Sequence, residues 1–461
     1  MARQSPSSKV IVIGAGLSGL VAAYELRQAG RDVMVLEARM RPGGRIQTWT
    51  DPFADGLYTE AGAAGIIPVE PDLALRYARL FNLALAEPEP RTLPIVHFFR
   101  GVRIVEDGES PMEWPLDLTD EERALGLLRM RTRYIRPAVD EIVRAHRDGT
   151  IDRVKEKYDR ISFHEFLRRA GASEDAIRLL AIEDWDLVGE GTDKQSAFDV
   201  LCQTTTYSAF TGTRYSIEGG NDLLPKAIAG ALGGRINYGA EVTRIEQDDE
   251  EVRVTFRRAG AIETAACAYA ICTLPFSVLR HLEISPPFSE AKGEMIARLS
   301  YASISRVFLQ FSRRFWVDQG LSGYTFTDLP TSFFWDGAAR QRRTRGILQA
   351  FTMGEHARRI AAMSEAERVD FALAQVEKVY PGARKYCEGG VSKCWDLDPW
   401  SMGAFSWFRP GEMTTMAPQA GRPEGRVHFA GEHTSSLLLR NSVQGAIESG
   451  IRVSEEIRAR A

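Results

Sequence analysis

Residues 10–19 read VIVIGAGLSG. The apolar run Val10–Ile13 is typical of a short buried strand, and the apolar residues after it recur with the spacing of one helix face. A second apolar run, Val33–Leu36, suits a strand of a parallel sheet that is covered on both faces. These features predict a β-α-β unit and, with it, an α/β fold.

The turn between this strand and helix predicts a dinucleotide site. Gly14, Gly16 and Gly19 would let the backbone approach a pyrophosphate, and Ser18 lies in the first turn of the helix, whose free N–H groups carry about half a positive charge. Glu37 follows the second strand, where a carboxylate can accept hydrogen bonds from the ribose hydroxyls of adenosine. The alternative is a glycine-rich turn in some other α/β protein.

The next segment favours a flavin over a nicotinamide. Residues 37–45 read EARMRPGGR, so that Ala38 and Arg39 precede, and Arg45 follows, the turn Gly43–Gly44. Two guanidinium groups beside such a turn can neutralise a diphosphate and contact a ribityl chain, with a bidentate geometry that lysine lacks. A solvated basic loop is the alternative.

With these motifs the chain resembles the flavin-containing amine oxidase family, which includes monoamine, polyamine and L-amino acid oxidases. The resemblance continues in IEGG at 217–220, WDLDPWSMG at 395–403, GRVHFAGEHT at 425–434 and QGAIESG at 444–450. It therefore spans nearly the whole chain and implies FAD as the cofactor.

The resemblance also implies further contacts to FAD. Gly431 and Glu432 would lie at the ribityl chain, and the helix that begins near Ser442 and Val443 would direct its positive end at the flavin ring. The remaining positions implied as FAD contacts are Gly62, Ala63, Val242 and Trp395.

The fold implied is α/β, with a Rossmann-type FAD-binding domain interleaved with a mixed-sheet substrate domain and a helical subdomain. We assign residues 1–68, 206–299 and 412–461 to the FAD-binding domain. The substrate domain takes residues 69–114 and 300–411, and the charged, Ala- and Leu-rich segment 115–205 forms the helical subdomain. Capping-box patterns predict helix starts at Thr119, Ser162 and Ser364. An acidic turn at 248–250 between alternating segments predicts a hairpin after residue 240, and residues 427–430 read as a strand.

Three positions depart from the family pattern of the substrate pocket. The L-amino acid oxidase branch clamps a carboxylate with an arginine and a tyrosine, and this chain has Gly65 and Phe351 at those places. The residue that usually walls the substrate is an aromatic, and here it is Ser442. These departures favour an amine or a modified amino acid over a plain zwitterionic amino acid.

The family lysine that assists the reaction with oxygen is replaced by Arg306. Arginine is cationic but bulkier, so it is not interchangeable with lysine; a structural salt bridge is the alternative role. Residues 403–405 read GAF, without the cysteine that attaches FAD in monoamine oxidases. The sequence therefore predicts non-covalent FAD.

Several more residues are candidates for the substrate pocket. Arg440 and Asn441 are candidates for a replacement anion or amide contact, whereas His433 fits a packing role better than that of a catalytic base. An aromatic set could line a substrate cavity, although such clusters are more often plain core: Phe333, Phe334, Trp335, Trp400, Phe405 and Trp407.

Composition excludes several classes of protein. A chain of 461 residues allows about three domains, and a net charge of −4 supports neither a nucleic-acid surface nor disorder. No apolar stretch reaches the roughly 18 residues of a membrane span, and residues 1–9 carry no cleavable signal. Five scattered cysteines predict no metal site and reduced thiols in the cytoplasm.

These inferences predict an FAD-dependent oxidase of a small-molecule amine or amino-acid-derived substrate. Hydride transfer from the carbon beside nitrogen would give an imine, and O2 would accept the electrons as H2O2. Three alternatives stay open: an L-amino acid oxidase whose carboxylate clamp has moved to Arg306 or Arg440, a C–C desaturase, and a non-catalytic flavin-binding protein. A homodimer is compatible with the sequence.

Overall fold

A computed structural model describes residues 9–69, 72–86, 93–108, 112–183, 189–208 and 214–460. Residues 184–188 of the predicted helical subdomain lie outside the described part. So do residues 209–213 of the predicted FAD-binding segment 206–299. Every predicted site residue lies within the described ranges.

A five-stranded parallel sheet joins the two ends of the chain. Val10–Ile13 pairs with Val33–Glu37 on one side and with Tyr269–Cys272 on the other. Ile236–Tyr238 and Val427–Phe429 complete its two edges. The predicted β-α-β unit and the predicted strand at residues 427–430 are thus both found in this sheet.

The helices at the two ends of the chain pack against each other beside this sheet. Leu17–Gln28 follows the glycine turn, and Val443–Ala459 lies across it. A Cβ atom at Gly450 would lie 2.5 Å from the carbonyl oxygen of Ser18. Only glycine permits so close an approach, which brings the middle of the second helix against the first turn of Leu17–Gln28.

A seven-stranded mixed sheet combines strands from distant segments of the chain. Ile95–Phe99 pairs in parallel with Thr325–Thr327, which is how residues near 100 join the segment after residue 300. On this pairing we propose a substrate domain formed from both segments. The sheet order is Cys387–Cys394, Ile304–Phe311, Gly346–Met353, Phe333–Asp336, Thr325–Thr327, Ile95–Phe99, Val102–Glu106.

The predicted hairpin after residue 240 is confirmed. Glu241–Gln247 pairs antiparallel with Val252–Arg258, which pairs with Ala261–Cys267, and Glu283–Ser285 lies at the other edge. The described two-stranded pairs are Thr48–Trp49 with Thr59–Glu60, Leu85–Ala86 with Ser216–Ile217, and Ser300–Tyr301 with Ser406–Trp407.

Helices dominate the described part of residues 120–208, as their composition predicts. The side chains of Thr119, Ser162 and Ser364 cap the helices that follow them, although only the first and third form the full reciprocal box. The described helices are Leu17–Gln28, Leu73–Leu80, Asp120–Tyr134, Arg136–Arg147, Ile151–Asp159, Phe163–Arg169, Glu174–Glu183, Ala197–Ser208, Leu223–Leu232, Phe276–Leu279, Glu290–Arg298, Phe315–Asp318, Gly354–Ala361, Glu365–Val379, Glu412–Thr415 and Val443–Ala459.

The five cysteines are all free thiols, and four of them are buried. Among the described helices, none combines the length and the apolar character needed to cross a lipid bilayer.

Candidate cofactor and substrate site

A cavity of about 560 Å³ lies at the carboxyl ends of the central parallel strands. Ligands of open α/β sheets bind at this edge. The cavity extends from the first glycine turn to the mixed sheet. The structure brings the predicted FAD contacts other than Gly19 into its lining, together with these predicted pocket positions: Gly65, Arg306, Phe351, Trp400, Phe405, Asn441 and Ser442.

Gly16 lines one end of the cavity and caps the helix Leu17–Gln28. Its φ of −66° is open to any residue, and a Cβ atom there would meet no protein atom within 4 Å. The fold itself therefore does not require glycine at this position, whereas a ligand lying against the backbone would. No side chain caps this helix, and its first turn has no acid, so its N–H groups suit a pyrophosphate.

Glu37 is held in place at the same end. Its carboxylate oxygens accept hydrogen bonds from the backbone N–H groups of Ala15, at 2.7 Å, and Arg39, at 2.8 Å. Burial raises the pKa of Glu37, and these two N–H groups oppose that rise. A carboxylate oriented in this way fits the ribose hydroxyls of an adenosine.

The second glycine turn is attached to the first. The N–H of Gly43 donates to the carbonyl of Ala15 at 2.8 Å. Arg41 does not line the cavity; its guanidinium donates to the carbonyl of Gly44 at 3.1 Å and thereby holds the turn. The Arg39 side chain does line the cavity, and it pairs with Asp398.

Arg45 and Glu432 connect the two ends of the chain at the middle of the cavity. Nη1 of Arg45 lies 2.8 Å from Oε1 of Glu432, whose other oxygen accepts from the Ser406 hydroxyl at 2.9 Å. Burial acts against ionisation, but the Arg45 charge and the Ser406 hydroxyl outweigh it and keep the pKa of Glu432 low. The pair thus places fixed charge where the polar chain of a flavin dinucleotide would lie.

Ser442 is the N-cap of the helix Val443–Ala459. Its Oγ accepts a hydrogen bond from the N–H of Gly445 at 3.0 Å and donates to the carbonyl of Leu439. The neighbouring Asn441 directs a buried Nδ2 donor that has no partner among the described residues. Because Asn441 also lines the cavity, a bound acceptor would satisfy that donor.

Aromatic side chains and Arg306 form the other end of the cavity. Nη1 of Arg306 donates to the carbonyls of Glu60, at 3.1 Å, and Gly62, at 2.6 Å. Its guanidinium lies 5.1 Å from the ring centre of Phe351. Arg306 is therefore a buried cation that fixes the loop beside the cavity. Trp395, Trp400 and Phe405 also line this end.

The remaining members of the predicted aromatic set pack elsewhere. Four residues of the set do not line the cavity and are instead buried in hydrophobic clusters: Phe333, Phe334, Trp335 and Trp407. Trp335 also contacts the back of the Arg306 guanidinium. The set divides into cavity residues and core residues, the latter being Phe333, Phe334, Trp335 and Trp407.

Arg214 is a cavity residue that the sequence analysis did not identify. Its side-chain carbons lie 3.3 Å from the position that a Cβ atom of Gly65 would occupy. The contact depends on the bridge between Ile66 and Tyr215, two residues far apart in the sequence. No local motif marks it.

Gly19 and Arg440 also lie outside the cavity lining. Gly19 serves the fold, because a Cβ atom there would lie 2.1 Å from the carbonyl oxygen of Gly14. Arg440 is buried, pairs with Asp199 at 3.0 Å and lies over the Phe408 ring. Arg440 is therefore not placed to bind a substrate anion, which corrects the expectation for this residue.

His433 is also outside the cavity lining. Its ring centre lies 4.4 Å from that of Phe276, and both ring nitrogens are buried without a hydrogen-bond partner among the described residues. Burial lowers the pKa of His433 to about 3, so the ring is neutral at physiological pH. This environment fits packing and gives no support to a catalytic base.

The family with the description "Flavin containing amine oxidoreductase" matches residues 17–458 of the chain. The chain belongs to this family. It is thus a flavin-dependent oxidoreductase with FAD as its cofactor, and the glycine turns, Glu37 and the unpartnered Asn441 donor fit such a group.

Relatives within the flavin amine oxidoreductases include L-amino-acid oxidases. A Bacillus subtilis (strain 168) protein, YobN, whose name assigns it provisionally to that group, is 34% identical over 97% of this chain and 94% of its own. The L-amino-acid oxidase of Echis ocellatus is 27% identical over 99% of this chain and 90% of its own.

Solved structures of amine oxidases share the fold. Putrescine oxidase with bound putrescine matches with a TM-score of 0.81 and 23% identity, over 98% of this chain and 99% of its own. Cyclohexylamine oxidase from Brevibacterium oxydans IH-35A matches with a TM-score of 0.82 and 22% identity, over 99% of both chains. At this identity the likeness establishes the fold alone.

Proposed function

We propose that the protein oxidises a C–N bond of a small amine or amino-acid-derived substrate to an imine, which water then hydrolyses. The observation that carries this proposal is the continuity of the cavity, from the glycine turns to the aromatic end beside Arg306 and Phe351. Bound FAD supplies a hydride acceptor in such a site. We further propose O2 as the electron acceptor, with H2O2 as its product.

The residues at the aromatic end prepare the substrate. Trp395, Trp400 and Phe405 provide apolar walls that exclude water from the substrate. The guanidinium groups of Arg306 and Arg214 disfavour a positively charged ammonium nearby, because like charges repel in a low-dielectric site. The amine is thereby held in its neutral form, which has the lone pair that hydride loss from the adjacent carbon requires.

Arg306 contributes a permanent positive charge beside the loop at Gly62. An anion that develops when oxygen is reduced would be stabilised by a nearby cation. Because Nη1 of Arg306 is committed to two backbone carbonyls, the charge is fixed in place. We propose that Arg306 takes this role in the oxygen reaction.

The test uses the purified holoenzyme and a panel of amines and amino acids without oxygen. Loss of the oxidised-flavin absorbance, followed by one equivalent of H2O2 when air is admitted, is the expected result. Bleaching without H2O2 in air would identify a dehydrogenase. Substrates that gain a C=C bond while keeping their nitrogen would identify a desaturase.

Flavin that resists every substrate but is reduced by dithionite would favour the non-catalytic alternative. We also propose a cytoplasmic location, which the five free thiols support.

A further inference from the structure

The charges that line the cavity are distributed unevenly. Three carboxylates line it: Glu37, Glu241 and Glu432. Glu37 and Glu241 lie together at the adenosine end, where the N–H of Ala240 donates to the carbonyl of Glu37. Glu432 is paired with Arg45. At the aromatic end, none of the described lining residues is an acid.

Cations occupy that same end. Arg306 and Arg214 both line the cavity, and they contact the loop from Gly62 to Gly65 at its first and last residues, respectively. Glu60 precedes this loop in the chain and interacts with the Arg306 charge, but burial raises the pKa of Glu60 to about 8. At neutral pH it is therefore largely protonated and does not neutralise the two guanidinium groups.

The backbone on which Arg214 lies is well anchored. Ile66 and Tyr215 exchange two backbone hydrogen bonds, at 2.8 and 3.0 Å, and the Tyr215 hydroxyl donates to Asp72 at 2.8 Å. The carbonyl of Arg214 accepts from Nη2 of Arg340 at 3.2 Å. The side chain of Arg214 then fills the space that Gly65 leaves empty.

Arg306 cannot serve a substrate in the same way, because its Nη1 already donates to two carbonyls and its planar face contacts Phe351 and Trp335. Of the two guanidinium groups, the one beside Gly65 is the better placed to receive a substrate group. A guanidinium binds a carboxylate with two parallel hydrogen bonds, which fixes its orientation.

We propose that Arg214 is the specificity-determining residue of this site and binds a carboxylate on the substrate. The substrate class is therefore an amine that also carries a carboxylate, such as an amino acid. A diamine is disfavoured, since its second ammonium would meet two cations and no acid among the described residues that line this end of the cavity. This inference deepens the proposed function and rests on it for the identity of the oxidised bond.

The first experiment measures binding without turnover. Benzoate and its neutral isostere benzamide are titrated into the oxidised holoenzyme, and the flavin absorbance reports binding. We expect Arg214→Gln to raise the Kd for benzoate by about 10- to 100-fold, or about 1.4 to 2.8 kcal/mol. The Kd for benzamide should change less than about threefold.

Arg340→Gln is the matched control for this titration. This substitution removes a charge of the same sign. The parent Arg340 contacts the backbone of Arg214 but does not line the cavity. We expect it to leave both Kd values near those of the parent. The proposal is overturned if benzoate does not bind the parent, if Arg214→Gln weakens both probes equally, or if Arg340→Gln reproduces its effect.

A second variant moves the guanidinium from residue 214 to residue 65, on the opposite side of the Ile66–Tyr215 bridge. Gly65 lies outside the left-handed region of φ, so its backbone accepts a side chain. The double variant Gly65→Arg, Arg214→Ala should regain benzoate binding to within about tenfold of the parent. A double variant that binds benzamide normally but gains nothing over Arg214→Ala would overturn the assignment of the anion to this patch.

Steady-state kinetics then separate the inference from the proposed function. L-Phenylalanine and 2-phenylethylamine differ only in the carboxylate. We expect Arg214→Gln to raise KM for the amino acid by about 10- to 100-fold and to leave 2-phenylethylamine within about threefold. If neither substrate reduces the parent flavin while benzoate selectivity holds, the proposed function fails and the anion site stands. If both substrates are oxidised and Arg214→Gln raises both KM values equally, the proposed function stands and the anion site fails.

Discussion

At the scale of single residues, Gly16 separates what the fold requires from what the ligand requires. Its backbone is ordinary and the space around it is open, so we expect Gly16→Val to leave the folded apoprotein intact. The added side chain would occupy the place of the pyrophosphate. FAD affinity should fall at least about tenfold, measured by fluorescence titration of the apoprotein.

The control for this prediction is Gly230→Ala. Gly230 lies in the helix Leu223–Leu232, where a Cβ atom would also meet nothing within 4 Å. Since alanine is a better helix former by about 0.5 to 1 kcal/mol, that variant should be slightly stabilised and should bind FAD as the parent does. Unfolding of the Gly16→Val apoprotein at lower urea concentration would contradict the prediction.

His433 should make the protein sensitive to acid. Burial lowers its pKa to about 3 in the fold, against 6.5 ordinarily, so the unfolded state takes up a proton first as the pH falls. Its contribution to stability is present above about pH 6.5 and is lost progressively towards pH 3. Between pH 6.5 and about pH 4.5 the loss should be about 2 to 3 kcal/mol.

We therefore expect His433→Leu to flatten the acid side of the stability profile, measured by urea unfolding at several pH values. Substitution of the exposed His146 by Gln is the control and should leave the profile unchanged. A His433→Leu profile as steep as that of the parent would show that other groups dominate.

Residues within a motif could be predicted from the sequence, and residues placed by distant contacts could not. Gly16 and Glu37, which both line the cavity, could be predicted because the turn, the helix and the strand between them give local signals. Arg440 was misplaced because its partner, Asp199, is remote in the chain. Arg214 was missed for the same reason, since only the pairing of Ile66 with Tyr215 brings it to Gly65.

At the scale of elements, the N-cap of the helix Val443–Ala459 contributes to both stability and the site. Ser442→Ala removes the acceptor for the N–H of Gly445 and should cost about 1 kcal/mol of stability. Because Ser442 also lines the cavity, the absorption spectrum of bound FAD should shift.

Ser364→Ala is the matched control, since Ser364 caps the helix Glu365–Val379 and does not line the cavity. Its stability should fall by a similar amount, measured by thermal unfolding, with the flavin spectrum unchanged. Identical spectra for both variants would show that the cap acts on the fold only.

The elements that could be predicted are those with their own local signals. The predicted helix starts at Thr119, Ser162 and Ser364 are confirmed because a cap satisfies N–H groups within one turn. The hairpin after residue 240 is confirmed because its acidic turn is local. The parallel pairing of Ile95–Phe99 with Thr325–Thr327 carries no such signal, since it depends on the docking of whole layers.

At the scale of the whole molecule, FAD should be held without a covalent bond. None of the five cysteines lines the cavity. Acid precipitation should therefore release all of the yellow colour into the supernatant, and yellow colour left in the pellet would contradict this. Added back at about 100 times its Kd, FAD should stabilise the apoprotein by about 2.7 kcal/mol, measured by thermal unfolding.

The close contact between Gly450 and Ser18 has a consequence for biosynthesis. The segments that line the coenzyme site leave the ribosome far apart in time, because Glu432 and Ser442 emerge more than 380 residues after Gly16 and Glu37. The central strand Val10–Ile13 lacks its partner until Tyr269–Cys272 has been synthesised, and the edge of the sheet beside that partner is completed only by Val427–Phe429. The coenzyme site is therefore complete only after Ser442 has been synthesised, and a nascent chain that stalls earlier leaves strands of the central sheet unpaired.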